Sequence, residues 1–168
     1  AAVAVSIPFR LELATERLNR GFSRLYQRHL LSSLKRRYRG KFRGRSDAPY
    51  PLNRLDALQD FRNFDHFITA PLNGYESAEQ YYATASRRSH LTGISIPTLI
   101  VHAWDDPFMT PEVLPTEAEL SPQVTLEISP SGGHVGFVTG SLWRPRYWLE
   151  QRIPAFIEQR LASASYPS

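Results

Sequence analysis

PTLIVHAWDDPF, Pro97 to Phe108, is an apolar β-rich run that breaks abruptly into two carboxylates and a proline. From Ile96 to Ala103 the run shows no polar alternation, so it predicts a strand buried on both faces, as in a parallel sheet. The same pattern recurs on either side. Val124–Ile128 is a short apolar run that ends in SPSGGHVGF, Ser129 to Phe137. Ala1–Ile7 is an apolar run that stops at Pro8. Each run therefore predicts a strand, with Asp105-Asp106-Pro107 after one and Gly132-Gly133-His134 after the next.

Between these strands the periodicity is helical. Leu11, Leu18, Phe22, Leu25, Leu30, Leu31 and Leu34 predict a helix over residues 11–38, with Gly21 as a break or kink. Residues 54–64 read as a short helix and 69–75 as a loop. Residues 77–86 read as a helix capped by Ser77, with Gln80 at capping-box spacing. A short helical crossover is expected near 111–120, and a long helix over 143–161, with Trp148, Leu149, Ile153, Phe156, Ile157 and Leu161 on its apolar face. Strand, helical insert, strand, helix, strand, helix is an α/β alternation.

In a parallel sheet, the loops after consecutive strands lie on one edge, where ligands bind. Topology thus brings an acid and a histidine together. Asp106 and His134 are the candidate catalytic pair, with Asp105 as the rival acid. A carboxylate on one imidazole nitrogen fixes the tautomer and leaves the other free to move a proton. Taken singly, an Asp-Asp-Pro is more often a turn, and a lone histidine more often a surface residue. Their placement after consecutive strands is what raises the catalytic reading. No nucleophile is found in this chain: the nearest match to G-x-S-x-G is Gly21-Phe22-Ser23-Arg24-Leu25, which lacks the second glycine and follows no strand. In proteins built around that elbow the serine precedes the acid and the histidine, an order that would place it before Ala1. The other histidines, His29, His66, His90 and His102, have no ligand spacing, so neither a metal site nor a cofactor is expected.

Composition narrows the classes further. The 168 residues hold no cysteine, which rules out disulfide scaffolds and thiolate zinc sites and suits a cytoplasmic location. No apolar run approaches the roughly 18 residues of a membrane span. The chain lacks an initiator methionine and opens inside a buried strand, so it is read as part of a longer polypeptide. The net charge of +4 is uneven: residues 1–50 carry +9 and residues 51–168 carry −5. KRRYRGKFRGR, Lys35 to Arg45, holds seven basic residues interleaved with Tyr38 and Phe42. The preferred reading is a solvated face. The alternative is a non-catalytic interaction module that binds anionic lipid through this segment, with nucleic acid the weaker choice.

The stretches RLNRGFSRLYQRHLL (Arg17–Leu31), TAPLNGYESAEQYY (Thr69–Tyr82), PTLIVHAWDDPFM (Pro97–Met109) and GGHVGF (Gly132–Phe137) resemble the C-terminal portion of the YheT-like α/β-hydrolases. The resemblance runs along nearly the whole chain. It implies that the three runs are the last strands of an α/β-hydrolase sheet, with strand 1–8, a helical lid-like insertion over about 10–90, and an acid and histidine region over 91–168. It also implies Asp106 as the acid, His134 as the histidine, and a nucleophile elbow and oxyanion loop in an N-terminal half that this sequence lacks. The expected activity of the whole protein is serine hydrolysis of a small-molecule carboxylic ester or acyl substrate, this chain alone being inactive. Phe108 and Phe137, read as near the site, suggest an apolar acyl group.

Overall fold

The computed structural model describes residues 1–141 and 143–164. They form two compact units, Ala1–Phe9 with Arg87 onward, and Arg10–Ser86.

The first unit is built on three strands: β1 (Ala2–Val5), β2 (Thr98–Ala103) and β3 (Val124–Ser129). They form a parallel sheet in the order β1-β2-β3, with Val5 opposite Val101 and His102 opposite Ile128. The fully buried β2 is the middle strand, which is why its sequence shows no alternation. Its residues still divide by face. Leu99, Val101 and Ala103 pack with Phe137 and Phe156, joined by Val3, Val5, Trp148 and Leu149. His102, on the other face, packs its ring against Phe9. β1 is only half-buried and pairs along one edge among the described residues.

Two sequence expectations in this unit need correction. The crossover 111–120 is not one helix but two single 3₁₀ turns, Pro111–Val113 and Glu117–Glu119. Pro115 holds Leu114 extended, and Thr116 restarts the chain with a capping box to Glu119. The helix expected from Trp143 begins at Trp148: α6 spans Trp148–Ala164. Residues ahead of it form β5 (Arg144–Tyr147), antiparallel to β4 (Val138–Ser141). Gly140 permits this pairing. Its φ is +88°, and a Cβ there would lie 2.5 Å from the Arg144 carbonyl oxygen.

The second unit is helical. Gly21, at φ +54°, splits the expected helix into α1 (Leu11–Leu18) and α2 (Ser23–Phe42). The helix expected over 54–64 is instead a 3₁₀ segment, Leu52–Ala57, followed by α3 (Phe61–Phe64). Asp60 starts α3 by accepting from the Asn63 amide at 2.7 Å. The chain then stays helical through a wide π turn, Asp65–Thr69, into α4 (Ala70–Leu72), where a loop had been expected. α5 (Ala78–Ala85) is capped by Ser77 as expected, although the Gln80 side chain reaches the amide of Glu76 and not that of Ser77. The core of this unit is Leu31, Tyr38, Phe42, Leu55, Leu58, Phe64 and Ile68. Among the described residues, no helix is long and apolar enough to cross a membrane.

Candidate active site

Asp106 and His134 meet beyond the carboxyl ends of β2 and β3. Asp106 Oδ2 lies 2.9 Å from His134 Nδ1. The carboxylate side chain is 2% exposed and that of the histidine 29%. A buried carboxylate is costly unless its oxygens are bonded, and here both are. Oδ1 accepts from the Phe108 amide at 2.9 Å, a local turn that Pro107 helps to form. With Asp106 accepting from Nδ1–H, the neutral imidazole keeps its lone pair on Nε2. The Phe108 ring stands edge-on to the imidazole at 4.9 Å between centroids and restricts its rotation.

Asp105, the rival acid, points elsewhere. Its Oδ1 accepts from the amides of Gly132 and Gly133, both at 2.8 Å. One carboxylate of the Asp-Asp pair therefore bonds the histidine, and the other holds the turn that carries it. That turn is strained. Val135 and Phe137 have φ of +56° and +44°, a conformation uncommon outside glycine and costing about 1–3 kcal/mol each. The strain is held by local bonds. Phe137 N–H donates to Gly132 O at 2.8 Å, Trp148 N–H donates to Phe137 O at 3.1 Å, and Val135 N–H donates to Ser6 Oγ at 3.3 Å. Gly132 is required by space: a Cβ there would come within 2.6 Å of the Phe137 ring.

Three residues acquire roles that sequence reading did not give them. Ser6 is buried at the end of β1 with φ +52°, and its hydroxyl ties β1 to the histidine loop. The signal available was a single serine inside an otherwise apolar run. Phe137 is only 2% exposed and stacks on Trp148 in the core. It is unavailable to a substrate, and the expected contribution to an acyl site is withdrawn for it. His102 is also buried, and its Nε2 finds no hydrogen-bond partner among the described residues. Burial pushes this imidazole down to about 4, with Asp106 opposing the shift and His134 adding to it. His102 is therefore neutral at physiological pH.

Ser23, the weak candidate nucleophile, is a buried residue at the start of α2 whose Oγ accepts from Arg17. Among the described residues, no cluster of His, Asp and Glu could hold a metal ion.

Residues 10–141 match the model of the alpha/beta hydrolase fold family. The chain belongs to that family. Among curated relatives of this chain, the Escherichia coli K12 protein YheT, described as a candidate esterase, is 43% identical over 98% of this chain and 49% of its own length. Phospholipase ABHD3 of Mus musculus is 27% identical over 94% of this chain and 39% of its own. The monoacylglycerol lipase of Saccharomyces cerevisiae is 35% identical over 49% of this chain and 18% of its own. The chain thus spans half or less of the length of these relatives. No solved structure matches it significantly.

Proposed function

We propose that this chain carries the proton-transfer half of a serine hydrolase of carboxylic esters. The observation behind this is the 2.9 Å approach of Asp106 Oδ2 to His134 Nδ1, in loops that follow two adjacent parallel strands. His134 Nε2 takes the proton of a serine hydroxyl as that oxygen attacks the ester carbonyl. Asp106 stabilises the imidazolium and fixes its orientation. His134 then returns the proton to the departing alcohol oxygen, which leaves an acyl-enzyme. Water repeats the sequence and releases the acid. The serine and its oxyanion donors would come from a segment N-terminal to Ala1. The names of the relatives, among them a phospholipase and a monoacylglycerol lipase, support an ester substrate.

The test is turnover of a short-chain aryl ester by the full-length protein. His134→Ala should lower kcat by several orders of magnitude, on the scale found when a triad member is removed. Labelling of a serine by a fluorophosphonate should fall in parallel. A His134→Ala protein that melts normally and retains full turnover would overturn the reading.

A further inference from the structure

The basic half of the sequence lies in the Arg10–Ser86 unit, and the structure sorts its cations by what they face. Of the Lys35–Arg45 segment, Tyr38 and Phe42 are core residues and not ligand-stacking aromatics. Both are nearly fully buried, and the Tyr38 hydroxyl bonds Tyr50 N and O at 2.9 Å. Arg45 is committed to Asp47 at 2.8 Å, and Arg45 and Lys41 lie over the Phe42 ring. This segment alone is therefore a poor binding arm, and its aromatics cannot stack on bases.

A different set of cations is aligned. Arg24, Arg28, Lys35 and Arg39 are spaced four, seven and four residues apart on α2, so they form one stripe beside its buried face. They line a cleft of about 750 Å³ whose floor includes the buried Gln27 and Leu31 and whose far wall holds Asp56 and Asp60. Gln27 helps to build it, bonding Asn19 from one end of its amide and accepting the Phe61 N–H at the other. The acids of the wall are occupied: Asp56 by Arg39 at 2.7 Å, and Asp60 by the cap of α3. Among the described residues, Arg24, Arg28 and Lys35 form no ion pair. A second cleft, of about 560 Å³, shares Ser32 and Arg39 and adds Arg36 and Arg43. At the N-terminal end of the same helix, Phe22, Leu25 and Tyr26 are exposed, Phe22 by 81%.

Cations along a helix flank with apolar side chains at one end match the chemistry of an anionic bilayer surface. Phosphates occupy the cation stripe while aromatic and aliphatic groups enter the headgroup boundary. We propose that the face of α2 from Phe22 to Arg43 docks on anionic phospholipid, with Arg24, Arg28 and Lys35 meeting phosphate and Phe22 and Leu25 entering the interface. The surface is independent of the ester-hydrolase reading, because binding needs neither Asp106 nor His134.

The experiment is co-sedimentation of the full-length protein with phosphatidylcholine vesicles, with and without a minor share of phosphatidylglycerol. Binding should need phosphatidylglycerol and weaken as the ionic strength rises past physiological, where the screening length is about 8 Å. A surface-adjacent cation changes membrane affinity by about fivefold, so the triple variant Arg24→Gln/Arg28→Gln/Lys35→Gln should bind about 100-fold more weakly. Phe22→Ser should weaken binding at every salt concentration without changing the salt slope. These positions are on the surface, so melting temperatures should stay at the wild-type value. A triple variant that melts normally and binds vesicles as well as wild type would overturn the proposal. So would full displacement by millimolar glycerol phosphate, which would identify a pocket for a soluble phosphate, or tighter binding to single-stranded DNA than to the vesicles.

Discussion

Replacing Asp105 and Asp106 in turn separates two functions that lie side by side in the chain. Asp105 Oδ1 accepts two amides at 2.8 Å, and hydrogen bonds to a charged group contribute about 1.5–3 kcal/mol each. The turn is exposed, so water replaces part of this when the carboxylate is removed. Asp105→Ala should therefore release about 2 kcal/mol of constraint, close to the strain of one positive-φ residue in the loop it holds. If the loop opens by that free energy, the population with His134 on Asp106 drops, and kcat/KM for an aryl ester should fall by about 10–30-fold. Asp105→Asn keeps an oxygen at the same place. It loses only the charge, so activity should stay within about fivefold of wild type. Asp106→Asn is different in kind. It offers Nδ1 an amide in place of an anion and favours the wrong tautomer, for which a loss on the order of 10⁴ in kcat is expected. The assay is steady-state hydrolysis by the full-length protein. The downfield proton resonance of His134 Nδ1–H serves as a signature independent of turnover. It should persist in Asp105→Asn and vanish in Asp106→Asn. Wild-type kcat/KM in Asp105→Ala would refute the holding role. If Asp105→Asn were as damaging as Asp106→Asn, the assignment of the acid would be wrong.

The buried His102 makes stability depend on pH. Its folded value of about 4 lies below the ordinary 6.5, so the unfolded chain takes up the proton first. Stability is then lost as pH falls from about 6.5 to 4, by about 3 kcal/mol in all, and is flat above that window. A urea midpoint followed against pH should show this loss, and His102→Phe should remove it; an unchanged slope in the variant would contradict the account. Gly132→Ala would drive a methyl within 2.6 Å of the Phe137 ring. It should cost about 1–3 kcal/mol by overpacking, with activity falling further than stability because the histidine turn moves. In the helical unit, Asp60→Ala removes the cap on Asn63 N–H and should lower stability by about 1 kcal/mol in thermal unfolding.

The sequence by itself determined the three strands of the parallel sheet and the residues at their ends. An apolar run without alternation needs burial on both faces, and β2 meets this requirement as the middle strand of a parallel sheet. Acid and histidine at the ends of consecutive runs follow from the same logic, so the closeness of His134 to an acid, Asp106 with Asp105 as its rival, could be read from the sequence. So could the break at Gly21. Local pattern failed where a partner distant in the chain decided the conformation. β5 reads as the start of a helix until Val138–Ser141 pairs with it. Tyr38 and Phe42 read as exposed aromatics among cations until Leu55 and Phe64 cover them. The division of labour between Asp105 and Asp106 is the sharpest case. The strand pattern alone does not separate the two carboxylates, which left Asp105 as the rival acid, and a strand end sends neighbouring side chains in different directions. Only the tertiary structure, by putting the Gly132–Gly133 amides on one side and the imidazole on the other, decides which carboxylate holds the loop and which meets the histidine.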